Sequence, residues 1–115
     1  MTSIVSEFVT VASTSEVSPG KMKRVMVSGH PVLLSNLGGH FYAIGAVCTH
    51  VGGPLEEGQI IGDEVQCPWH GSHFDLKTGE VKRGPARLPE PKYEVKVDGS
   101  EIKVKPASPI AKTYG

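Results

Sequence analysis

Two short segments carry the residues most able to do chemistry. Cys48-Thr49-His50 and Cys67-Pro68-Trp69-His70 each place a thiol and an imidazole within one loop, with sixteen residues, 51 to 66, between them. Thiolates suit zinc and iron–sulfur clusters, while imidazole suits zinc and iron. A structural zinc site is one reading of this donor set. Zinc-finger spacing, however, groups cysteine with cysteine and histidine with histidine. Here the two types are interleaved, which lets both loops send a cysteine to one iron and a histidine to the other. A disulfide between the only two cysteines is a third reading. A histidine within three residues of each cysteine, and the lack of an export signal, argue against it.

The elements that must position these residues read as short strands. The chain has 115 residues, with 14 glycines and 9 prolines. Glycine or proline interrupts almost every window long enough for a helix. Strand-like segments are expected at residues 8–12, 23–27, 32–36, 40–46, 60–61, 64–67, 93–97 and 101–105. Tight turns are expected at Ser28-Gly29, Gly38-Gly39, Gly62-Asp63 and Asp98-Gly99. This is an all-β pattern, a barrel or sandwich. One domain over 1–115 is expected. Residues 47–87, with both cysteines, the only tryptophan and several glycine-rich loops, read as an elaboration between strands of a base sheet. Residues 106–115 read as a possible tail.

Formal net charge is zero. No basic face invites nucleic acid or an anionic membrane. Residues 1–10 show neither a basic segment nor an apolar run of signal-peptide type, and no run approaches the ~20 residues of a membrane span. A soluble protein in the cytoplasm is expected.

The interleaved motif resembles that of Rieske iron–sulfur proteins, and more narrowly the small Rieske ferredoxins of ring-hydroxylating dioxygenase systems. The resemblance extends over roughly residues 5–105. It implies a base β-barrel or sandwich bearing a small cluster-binding subdomain at about 47–87. It implies one [2Fe–2S] cluster, with Cys48 and Cys67 on the inner iron and His50 and His70 on the outer one. Gly52, Gly53 and Gly71 would let backbone N–H groups approach the cluster sulfurs. Gly84-Pro85-Ala86 resembles the proline-containing loop that covers the cluster in this family.

Two departures bear on the expectation. High-potential relatives tie their two loops with a further cysteine pair, at positions where this chain has Gly53 and Trp69, and they carry a membrane anchor. Their serine and tyrosine donors to sulfur correspond to Ser72 and Phe74, and phenylalanine has no hydroxyl to give. A potential in the lower half of the roughly −150 to +300 mV Rieske range follows. Trp69 is expected to pack where the missing disulfide would sit.

The function implied is one-electron transfer from a flavin- or NAD(P)H-dependent reductase to a terminal oxygenase, without catalysis by the chain itself. A subunit of a larger reductase complex and a zinc-binding structural module are the alternatives. Intrinsic oxygenase chemistry would need a 2-His-1-carboxylate iron site. Only His30, His40 and His73 remain for it, and no two share a segment with a carboxylate. His30 and His40 read as solvated turn residues, and His73 as an ordinary neighbour of the second loop. Lys82, Arg83 and Arg87 read as a small solvated basic patch able to steer a partner.

Overall fold

The computed structural model describes residues 8–50, 52–69 and 71–106. Strands β1 (Val9–Ser13), β2 (Met22–Val27), β3 (His30–Leu37) and β4 (His40–Gly45) lead into the motif region. That region contributes β5 (Gln59–Ile61), β6 (Glu64–Gln66), β7 (His73–Asp75) and β8 (Val81–Arg83). β9 (Lys92–Asp98) and β10 (Glu101–Pro106) return to the base. The base sheet runs β1-β10-β9-β4-β3-β2 and curls into a nearly closed barrel, while β5-β6-β7-β8 form a separate sheet. All named pairings are antiparallel.

Local chemistry explains the turns. Ser28 and Gly29 both have positive φ, 51° and 81°, and join β2 to β3 with two residues between the paired Val27 and His30. Such a turn matches the right-handed twist of the strands it connects.

The strand expectations hold to within two residues at each end, except that β7 and β8 were not foreseen. Each is only three residues long and is bounded by loop residues. The tail expected at residues 106–115 falls, from residue 107 onward, outside the described residues.

Two apolar cores share one wall. Val32 and Leu34 face the barrel core with Val17, Val25, Val27, Ile102 and Val104. Leu33 between them faces the other way, into a second core with Ile44, Leu55, Val65, Phe74 and Leu76. Successive side chains of a strand point to opposite faces, so the run 32–34 is apolar because β3 is buried on both sides. The second core also contains Cys48 and Cys67. The wall thus fixes the floor of the motif region.

Candidate metal centre

The two motif loops share one hydrogen-bond frame. Cys48 N–H donates to the Gly53 carbonyl (2.9 Å), and Gly52 N–H donates to the Cys48 carbonyl (2.8 Å). Cys67 N–H donates to the Ser72 carbonyl (2.7 Å), and Gly71 N–H donates to the Cys67 carbonyl (3.1 Å). In both loops the glycine four residues after the cysteine has positive φ, 79° at Gly52 and 83° at Gly71. That conformation closes the loop and costs a non-glycine residue about 1–2 kcal/mol. These two amides serve carbonyls, so the glycines shape the loops rather than present their own N–H groups to sulfur. Loop 48–53 springs from the end of β4 and is closed by a bridge between Val47 and Pro54. Loop 67–72 joins β6 to β7.

Both thiols are buried, Cys48 at 2 % exposure and Cys67 at 1 %, and neither is in a disulfide. His50 is exposed. His70 lies outside the described residues, and no group of three metal-binding side chains is assembled among the described ones. Gly53 marks where the two loops touch. A Cβ there would lie 2.8 Å from Cys67 Sγ and 3.2 Å from two atoms of the Trp69 ring. Only glycine fits, and the indole packs against its backbone at the place expected for the missing disulfide. Two buried thiols on matched, closely apposed loops, with an exposed imidazole on one, suit a cluster with a cysteine side and a histidine side.

Comparison with known proteins decides the family. Residues 7–104 match the model of the Rieske [2Fe-2S] domain. The chain belongs to the Rieske family. The ferredoxin component of biphenyl 2,3-dioxygenase from Rhodococcus jostii (strain RHA1) is 34% identical over 82% of this chain and 88% of its own length. The ferredoxin of carbazole 1,9a-dioxygenase from Nocardioides aromaticivorans IC177 superposes with a TM-score of 0.82, at 36% identity, over 86% of this chain and 97% of its own. A chain of the complex of reduced oxygenase and oxidized ferredoxin in carbazole 1,9a-dioxygenase also superposes at 0.82, with 32% identity, over 90% of this chain and 97% of its own. A Rieske domain implies a [2Fe–2S] cluster. Among the described residues no helix is long and apolar enough to cross a membrane.

A third loop clamps the Rieske motif loops together. Ala86 N–H donates to Ser72 Oγ (3.0 Å), which ties residues 84–89 to the second loop. Thr49 Oγ1 donates to the Leu88 carbonyl (2.6 Å), which ties them to the first. Ser72 is fully buried, and accepting from Ala86 leaves its own hydroxyl proton to donate. Phe74 is buried in the second core with no hydroxyl to offer.

The partner of His73, and Glu90 altogether, escaped the sequence reading. His73 is buried and bonded through Nδ1 to Glu64 Oε1 at 2.9 Å. Only the register of β6 against β7, which pairs Gln66 with His73, brings these two together. Glu90 is 3 % exposed, and neither carboxyl oxygen has a hydrogen-bond partner among the described residues. Burial, and then the negative Cys48 sulfur, push its acid up to about 9. The Thr49 amide pulls weakly the other way, from outside hydrogen-bonding geometry. Glu90 is therefore a neutral acid at neutral pH. Two flanking prolines are its only mark in the sequence. His30 and His40 are exposed, as expected, but they are the first residues of β3 and β4 rather than turn residues.

Proposed function

We propose that the chain is a Rieske ferredoxin that holds one [2Fe–2S] cluster through Cys48, His50, Cys67 and His70. It passes single electrons from a flavin- or NAD(P)H-dependent reductase to a terminal oxygenase, without catalysing a reaction itself. The observation that carries this reading is the pair of buried thiols on identically framed loops whose rim, at His50, is open to solvent. When bound, the cluster supplies a one-electron couple. The chain keeps water from the thiols with Leu33, Ile44, Leu55 and Phe74, all fully buried. It leaves the His50 edge exposed as the exit. Residues 1–115 act as one Rieske domain with the cluster held by about 47–87, and the carrier works in the cytoplasm. The ferredoxin components among its relatives, one of them in a complex with its oxygenase, support the oxygenase as a class of partner.

The test is an electron paramagnetic resonance spectrum of the dithionite-reduced protein with iron and zinc analysis. Two irons per chain, and a reduced signal with the low average g value that nitrogen ligation produces, are expected. One zinc and no signal would move the chain to the structural-module class.

A further inference from the structure

The end of the molecule that bears the motif loops is apolar and lopsided in charge. Segments 47–54, 67–72 and 84–89 contain one charged residue other than histidine, Arg87, and no carboxylate. Trp69 is 55 % and Leu88 46 % exposed, large apolar groups open to solvent beside buried thiols. Arg83 ends β8, paired in register with His73, immediately before the clamping loop. Lys82 is offset by Glu80 at 3.9 Å. Arg83 and Arg87 are exposed and pair with no carboxylate among the described residues. On the other side of loop 67–72, exposed Glu57 shares a shallow groove with Pro68 and Gly71. Tryptophan and arginine are the types that most often anchor interfaces, and an apolar centre with a charged rim is the usual interface anatomy.

We propose that Leu88 and Trp69, flanked by Arg83 and Arg87, form a docking face for a redox protein whose contact surface is apolar at its centre and acidic at its rim. This rests on the electron-carrier reading and adds to it the chemistry and orientation of the partner. Two guanidinium groups that pair with no carboxylate among the described residues raise the local concentration of an acidic surface and orient it before contact. They also repel their own image, so two copies of the chain do not meet here face to face. The clamp bond from Thr49 to Leu88 places the apolar centre one residue from Cys48 and His50.

Trp69, the only tryptophan, reports on this face directly. Its fluorescence in the protein as purified is quenched with iodide and with caesium at low salt, in wild type and in R83E/R87E. The iodide-to-caesium ratio of quenching constants is expected to fall about sevenfold in the variant, because loss of a potential of roughly one kT lowers iodide and raises caesium by a factor of about e each. In parallel, the dithionite-reduced protein is oxidised by ferricyanide and by hexaamminecobalt(III). The ferricyanide rate should fall with added salt in wild type and rise in the variant, and hexaamminecobalt should do the reverse. An unchanged quenching ratio, or wild-type salt slopes of the opposite sign, overturns the proposal. Dimerisation in sedimentation that L88D abolishes would assign the face to a second copy and also overturn it. A protein with no reducible cluster would sink the electron-carrier reading while the quenching result still stood by itself.

Discussion

Loops 48–53 and 75–80 share a backbone frame and differ in everything that frame carries. Asp75 N–H donates to the Glu80 carbonyl (2.8 Å), and Gly79 N–H donates to the Asp75 carbonyl (2.8 Å). Gly79 has φ of 83°, beside 79° at Gly52. In loop 75–80 the first side chain turns inward, and Asp75 Oδ1 accepts the amides of Lys77 (2.7 Å) and Thr78 (3.1 Å). Cysteine stands in that first position in loops 48–53 and 67–72. The frame is therefore a general loop closure that forms whatever its first residue bears. It supports an Asp turn in one place and thiols in two others, and the donor chemistry lies in residue type alone. The last position separates them again. It is Glu80 in one loop and Gly53 in the other, because only Gly53 lies against Cys67 and Trp69.

The largest expected effect breaks the comparison outright. C67S is expected to abolish cluster binding, read as loss of iron and of visible absorbance. D75N, which keeps an oxygen acceptor at the matching position, is expected to retain both. Iron retained in C67S would remove the second loop from the site.

Glu90 touches both kinds of loop, since its N–H donates to the Gly79 carbonyl (2.8 Å) and its carboxyl lies near Cys48. Its folded-state acid is raised from 4.5 to about 9. Below 4.5 both folded and unfolded chains are protonated there, and the group adds no pH dependence. Between 4.5 and about 9 the unfolded chain ionises and the folded one does not, so stability falls as pH rises. The slope reaches ~1.4 kcal/mol per pH unit and ends once both states are ionised. E90Q should flatten this slope, with an advantage over wild type that grows with pH in urea titrations across that window. Parallel curves for the two proteins would show that Glu90 does not carry the dependence.

Gly53 gives the smaller, sharper test. G53A forces Cys67 or the Trp69 ring to move and is expected to destabilise the fold by ~1–3 kcal/mol, the usual cost of overpacking. G84A, whose Cβ would meet nothing nearer than 3.8 Å, is expected to be near neutral by the same urea titration. Equal effects would mean that the contact between the loops is not tight.

The two cysteine–histidine pairs stood out in the sequence because cysteine and histidine at short spacing have few structural uses. The base strands were legible through alternation and glycine turns. The likeness of three loops was written only as a glycine four residues after Cys48, Cys67 and Asp75, a signal too common to read before the hydrogen bonds are known. Glu90 and the pairing of His73 with Glu64 depend on which elements come together in space. A carboxyl between two prolines looks like a surface turn until Gly45, Cys48 and Gly79 close around it. Residues 32–34 were legible as apolar, but burial on both faces followed only from the second sheet.

The bond from Thr49 to the Leu88 carbonyl also makes the surface and the interior one mechanical part. Thr49 stands between Cys48 and His50, and Leu88 stands in solvent. The 2.6 Å bond joins the backbone of the exposed leucine to the residue between Cys48 and His50, so the covering loop and the first motif loop are held as one piece.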